Sequence, residues 1–324
     1  MSADLDARHF HDEDAARQFL EEVRWPEGPI CPHCGTVGSA YKTKKVGVYR
    51  CGERECRKDF TVRVGTLFER SHIPLHTWLF ATHLLTSSKK GMSSHQMHRM
   101  LGVTYKTAWF MTMRIREGMR DIHPTESGPL GGANRVVEVD ETYVGGKEAN
   151  KHANKRQNRG RGPVGKEPVV TLVEREGKVR SFHVANVTSR TLKPILKEQI
   201  DAATHIMTDE SAVYPSATRD FAGHSTVNHS IDEYVRDGGF SHTNTVENYF
   251  SILKRGIVGT YHHVSPAHLK RYVGEFDFRY NHRTGLGVSD AQRAVAALKG
   301  IEGKRLTYGG SRHQADPAEA DIPF

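Results

Sequence analysis

The chain has 324 residues, with 46 Lys and Arg against 38 Asp and Glu for a net charge of +8, and 37% of it is hydrophobic. That length predicts two or three domains, and the modest apolar fraction is adequate for a sizeable core. No apolar run approaches the ~20 residues of a bilayer span, and Met1-Ser2-Ala3-Asp4-Leu5-Asp6 has neither a basic nor an apolar leader segment. The expectation is a soluble cytoplasmic protein whose surplus positive charge suits a polyanionic partner.

Residues 1 to about 28 read as a polar helical segment, with Phe10, Ala15, Phe19, Leu20 and Val23 as its apolar stripe. All four cysteines fall in the next segment, 29–66. Such clustering in a large chain argues against a disulfide framework and for a reducing compartment. Cys31-Pro-His-Cys34 and Cys51-Gly-Glu-Arg-Glu-Cys56 make two knuckles around a strand-like stretch, Tyr41 to Arg50. Together they can set four thiolates on one tetrahedral Zn²⁺, a zinc ribbon whose stability the ion would carry. His33, between two better-placed thiols, reads as a loop residue facing solvent. The flanking Lys42, Lys44, Lys45, Arg50, Arg54, Arg57 and Lys58 fit a contact with nucleic acid, against the plainer reading of the ribbon as a scaffold.

Residues 70–122 are helical. Leu75, Trp78, Leu79, Thr82 and Leu85 share one face; after Gly91, Ser93 can cap a short helix through Met100-Leu101. Gly102 then makes a turn, and Thr104 can cap a further helix with Ala108, Met111, Ile115 and Met119 pointing inward. The pattern describes equally a small helical packing unit and a helix-turn-helix, in which Tyr105, Lys106 and Thr107 would meet DNA; the ribbon and the basic charge favour DNA. A Gly- and Pro-containing linker, 123–134, follows.

From 135 to 300 strand-like and helix-like runs alternate: strands at 136–144, 168–175, 178–186, 204–209 and 224–228, helices at 189–202, around Glu247, and from Ser265-Pro266 onward. This order specifies an α/β layer, a mixed sheet with flanking helices, and is the order of an RNase H-like fold. The tail, 301–324, lacks periodicity and reads as mobile.

Three acids stand out. Asp140 follows a run of valines, where a carboxylate is costly; Glu138 shares its face by the period of two and Glu141 points the other way, and either is a rival. Asp209 closes a strand and competes with a role as N-cap for the segment from Ser211. Glu247 lies on a polar stripe with Asn244, Ser251 and Lys254, apart from the apolar stripe of Val246, Phe250, Leu253 and Ile257. Converging carboxylates of this kind suit Mg²⁺ or Mn²⁺. Lys254 and Arg255 fit a passing phosphate backbone. The loop between the first two strands carries Lys147, Lys151, Lys155, Arg156, Arg159, Arg161 and Lys166 against Glu148 and Glu167. It reads as solvated or, rooted beside Asp140, as a grip on DNA phosphates.

Cys31-Pro-His-Cys34 with Cys51 and Cys56, Val137-Glu-Val-Asp-Glu-Thr-Tyr-Val-Gly-Gly-Lys147, Met207-Thr-Asp-Glu210, the long run from His242 to Val264, and Phe276-Asp-Phe-Arg-Tyr-Asn-His-Arg283 resemble insertion-sequence transposases of the DDE type. The best match is the zinc-ribbon group, the family numbered fifteen ninety-five, over about residues 10 to 300. The resemblance implies an RNase H-like catalytic domain with Asp140, Asp209 and Glu247 as metal ligands and two-metal phosphoryl transfer on DNA. It further implies that the ribbon and helical module bind the terminal inverted repeats. One site would then nick a transposon end and join it to target DNA, within a homo-oligomer held at the nucleoid by the DNA. The competing readings are a DNA-binding regulator without catalysis and a general RNase H-like nuclease.

Overall fold

The structure, a computed structural model, describes residues 5–121, 128–146, 151–156, 163–227, 240 and 242–307. It divides into two compact units: one combines the described residues up to Arg120 with those from His282 onward, and the other runs from Asp121 to Asn281.

In the first unit, helix α1 (Glu13–Arg24) opens on Asp12, whose side chain accepts the Ala15 N–H. Its buried line is Ala16, Leu20 and Arg24. The stripe expected through Ala15, Phe19 and Val23 lies only half-buried beside that line. Arg24, at the end of the buried line, turns its guanidinium inward to the Val62 carbonyl and to Glu302. Strands β1 (Tyr41–Lys42), β2 (Tyr49–Arg50) and β3 (Asp59–Phe60) form a small antiparallel sheet. Its core is aromatic, with Trp25 edge-on to Tyr49 and Phe60.

Helices α2 (Leu75–Ser87), α3 (Ser94–Leu101) and α4 (Tyr105–Met119) follow. The predicted face of α2 is buried, but so are Ala81, His83 and Thr86, because α1, α4 and the later helix α9 (Asp290–Lys299) surround it. Helix α9 opens on a capping box between Ser289 and Gln292 and buries Ala294, Ala297 and Leu298. The chain from 282 onward, placed by the sequence in the domain ending at 300, therefore groups with the first unit. Backbones meet closely here: a Cβ on Gly300 would lie 2.1 Å from the Gly118 carbonyl oxygen.

Residues 301–307, expected to begin a mobile tail, are also tied down. Ile301 is buried, Glu302 bridges to Thr66, and Lys304 donates to the carbonyls of Glu117 and Arg120 at the C-terminal end of α4. The remainder of that tail, 308–324, lies outside the described residues.

The second unit contains strands β4 (Val136–Val144), β5 (Glu167–Glu174), β6 (Val179–His183), β7 (His205–Asp209) and β8 (Gly223–Val227) in the spatial order β6-β5-β4-β7-β8. β4 pairs antiparallel with β5, and β5 antiparallel with β6. After helix α5 (Ser189–Gln199) crosses over, β7 and β8 join parallel to β4. The strands alternate between two apolar layers. Val137, Val139, Val170 and Leu172 meet Leu192 and Leu196 of α5 on one face, whereas Val169, Val173 and Val179 meet helices α7 (Asn244–Gly256) and α8 (Pro266–Asn281) on the other. A mixed sheet covered on both faces is the RNase H-like layer that the order of runs implied. The period of two sets Glu138, Asp140 and Thr142 on the face beneath α7.

Candidate active site and candidate zinc centre

In the first unit the two knuckles bring Cys31, Cys34, Cys51 and Cys56 together, with all four sulfurs within 4.8 Å of one another. Cys31 and Cys56 are 3.7 Å apart and Cys34 and Cys51 3.6 Å, far beyond the ~2.05 Å of a disulfide. With Zn–S bonds of ~2.3 Å, a tetrahedral zinc requires sulfurs ~3.8 Å apart, so the quartet fits that ion. Hydrogen bonds with Thr36 pull the Cys34 thiol down to about 6, whereas burial pushes the Cys51 thiol up to about 12, so a bound cation would be needed to hold all four as thiolates. His33 is exposed and outside the cluster, as its position between better ligands suggested.

In the second unit β4 and β7 pair in parallel from Val136–His205 to Glu138–Met207. Carrying that register two residues further sets Asp140 level with Asp209, the last residue of β7. Asp140 is partly buried. Burial first, then the charges of Glu141, Asp209 and Glu247, push its carboxyl up to about 8, opposed by the Glu141 N–H that donates to its Oδ1 at 2.7 Å. Asp209 and Glu247 thus both lie within electrostatic reach of Asp140. The three acids do not close to the spacing of the cysteines: among the described residues only the thiols reach it. Carboxylate oxygens are the hard ligands that suit divalent ions such as Mg²⁺ or Mn²⁺.

Each acid has its own local support. Asp209 Oδ1 accepts the Ser211 N–H at 3.0 Å, closing a tight turn, while helix α6 (Tyr214–Ala217) starts later with Val213 at its N-cap position. The N-cap role weighed for Asp209 is therefore not the one it takes. Glu247 is exposed on the first turn of α7, where the helix dipole favours a negative charge, and Thr243 Oγ1 donates to it at 3.2 Å. Glu141 points to the opposite face, as the period requires, and accepts a hydrogen bond from the Tyr214 hydroxyl. Burial foremost, joined by the charges of Glu141, Asp140 and Asp209, holds that phenol well above its ordinary range.

Glu138, by sequence a rival ligand, has a fully buried side chain that accepts the N–H groups of Thr245 and Val246 at 2.9 and 3.0 Å. Arg175 donates to it at 2.7 Å. The period of two had placed Glu138 on the correct face, but nothing local pointed to Arg175.

The other predicted residues are spread over both units. Ser93 and Thr104 cap α3 and α4 as expected, and Gly102 sits between them at φ 65°. Tyr105 and Lys106 are exposed and Thr107 half-exposed on the first turn of α4, with the Tyr105 ring stacked 4.2 Å from His95. Asn244, Lys254 and Arg255 are exposed on α7, and Arg255 donates to Ser251. Arg156 is exposed and bonds the Lys151 carbonyl; Lys155 belongs to a short 3-10 turn, and its side chain lies outside the described residues, as do Lys147, Arg159 and Arg161.

A four-thiol ribbon and an RNase H-like sheet bearing clustered carboxylates define the class of DDE transposases with an N-terminal zinc ribbon. Residues 129–281 match the ISXO2-like transposase domain and residues 11–59 the transposase zinc-ribbon domain. The first match ends where the second structural unit ends. A relative from Halobacterium salinarum (strain ATCC 700922 / JCM 11081 / NRC-1), described as an uncharacterized protein in transposable element ISH50, is 28% identical over 284 residues, covering 83% of this chain and 91% of its own. The chain belongs to the IS1595-type transposases. No helix among its described residues is long and apolar enough to cross a membrane.

Proposed function

We propose that this chain binds the terminal inverted repeats of its own insertion sequence and catalyses metal-dependent strand cleavage and strand transfer, with Asp140, Asp209 and Glu247 as the ligands of Mg²⁺ or Mn²⁺. The observation that carries this reading is that Asp140 stands level with Asp209 in the β4–β7 register and feels the charges of both Asp209 and Glu247, which add to burial and to Glu141 in raising its carboxyl to about 8. Carboxylates so arranged need a cation to ionise together. Bound divalent ions would supply the charge stabilisation of in-line phosphoryl transfer.

The protein's own residues do the remaining work. Asp140 and Asp209 hold the strand side of the site and Glu247 the helix side, while Lys254 and Arg255 on the same helix meet phosphates beside it. Tyr105, Lys106 and Thr107 read the repeats in the major groove, and the four cysteines hold zinc to fold the ribbon. Active complexes assemble from more than one copy of the chain on DNA, a reading by analogy with other enzymes of this class.

The test is nicking of a labelled duplex that carries the element's ends. Cleavage should require Mg²⁺ or Mn²⁺ and disappear in Asp140→Asn; robust cleavage without divalent metal would sink the reading. Equal cleavage of DNA lacking the ends would favour a general nuclease instead.

A further inference from the structure

Helix α7, which carries Glu247, opens with Thr243 at its N-cap position, and Thr243 makes no side-chain capping bond. The first-turn amides of a helix have no partner within it and need acceptors from elsewhere. Glu138 supplies them from β4: its Oε2 accepts the N–H groups of Thr245 and Val246, and its Oε1 accepts the Thr245 hydroxyl at 2.9 Å. The negative charge also faces the positive end of the helix dipole.

Arg175, directly after β5, completes the arrangement. It gives Nε to Glu138 Oε1 and its two terminal nitrogens to the carbonyls of Phe240 and His242, at 2.7 and 2.8 Å, in the segment leading into α7. His242 Nδ1 stands 3.2 Å from the same Glu138 oxygen. One carboxylate and one guanidinium thus join β4, the end of β5 and the start of α7.

The spacing gives this joint its meaning. Asp140 is two residues beyond Glu138 on the same face of β4, and Glu247 is the residue after Val246. We infer that Glu138, braced by Arg175, is a positioning residue that sets Glu247 of α7 against Asp140 of β4 so that both can hold the same metal centre. This rests on the assignment of the acids proposed above. An ordinary buried ion pair would affect only stability, whereas a positioning pair also sets metal affinity.

The test compares full-length, zinc-loaded wild type with Glu138→Gln, Arg175→Lys and Glu247→Gln, titrating Mn²⁺ by the loss of its free electron paramagnetic resonance signal and following nicking of end-bearing DNA. In Glu138→Gln the amide cannot accept at every site the carboxylate serves. With an unchanged circular dichroism spectrum and unchanged DNA affinity, its half-saturating Mn²⁺ should rise by roughly 10- to 100-fold in both assays. A wild-type titration in folded Glu138→Gln overturns the inference. If that variant does not fold, Arg175→Lys, which keeps the charge but cannot reach both carbonyls, should show the shift, and its absence there overturns the inference equally. Glu247→Gln separates the two possible failures. Wild-type Mn²⁺ binding and nicking in Glu247→Gln would remove the assignment of the acids and this inference with it; loss of both there, with both intact in Glu138→Gln, removes the positioning role alone.

Discussion

The Glu13 carboxylate accepts the backbone N–H of Leu75 at 2.7 Å, so a residue on α1 caps helix α2 from 62 positions away. It also accepts the His76 N–H and faces the His76 ring and Arg63. Pro74, at the N-cap position, makes no side-chain capping bond, and Glu13 takes that place. Because Glu13 is half-exposed, Glu13→Ala should cost only about 1 kcal/mol in urea unfolding of the full chain.

The same contact predicts a pH dependence. Burial alone would raise the Glu13 carboxyl, but the Leu75 and His76 amides, the His76 ring and Arg63 outweigh it and hold the group below its ordinary value. A lowered folded value means stability present above the unfolded pKa of ~4.3 and lost as pH falls through the folded one. The difference between wild type and Glu13→Ala should therefore shrink on acidification below about pH 4, measured by urea midpoints across pH. A difference that is constant with pH would show that Glu13 does not act through its charge.

Glu13 and Glu138 also mark where the sequence stops being readable. The caps at Ser93 and Thr104 act on amides within three residues, so their roles follow from neighbours in the chain. The glutamate caps act across the fold and have no local signature. The face of α7 was legible because Val246, Phe250, Leu253 and Ile257 repeat at helical spacing against one layer. That of α2 was legible only in part, since a helix surrounded by others buries nearly every position. The apolar pattern of α9 shows that it packs, but not on which core, and the boundary drawn at 300 missed its place in the first unit. At the site, alternation put Glu138 and Asp140 on one face and Glu141 on the other, while the turn made by Asp209 depends on where α6 begins.

The ribbon should contain one zinc per chain. Its sheet consists of three two-residue strands, too little backbone pairing to persist alone, and a structural zinc contributes roughly 10–16 kcal/mol of apparent binding energy. Cys51→Ser, or removal of the ion by a chelator, should abolish the ordered surroundings of Trp25 and Tyr49 seen by near-ultraviolet circular dichroism. Elemental analysis giving no zinc, with that spectrum intact, would refute a zinc-dependent ribbon.

On α4, Lys106→Ala should weaken binding to end-bearing and unrelated DNA alike and reduce the slope of log affinity against log salt by about 1, as for a phosphate contact. Tyr105→Ala and Thr107→Ala should instead lower the preference for the ends, because a first-turn residue of a recognition helix faces base edges. Fluorescence anisotropy at several salt concentrations distinguishes these outcomes. Unchanged binding in all three variants would leave α3 and α4 as a packing unit only.

Asp140 should be a destabilising residue until metal arrives. Its folded carboxyl titrates at about 8 against an unfolded value of ~3.9, so the native state holds more protons between those limits. Stability contributed by the protonated form is complete below about pH 4 and is lost as pH rises through about 8. With zinc retained and no Mg²⁺ or Mn²⁺ added, Asp140→Asn, which mimics the protonated acid, should be the more stable protein at pH 8. The gain should be on the order of 2 kcal/mol, discounted from the full shift because Asp140 remains partly exposed. The wild type should show the steeper fall of melting temperature between pH 5 and pH 8, and Mn²⁺ should restore its stability without helping the variant. The expected pattern is thus a variant that is more stable and inactive, as for a charge held in place for a cation. Equal melting temperatures across pH in the two proteins would show that burial and neighbouring charges do not raise the Asp140 carboxyl.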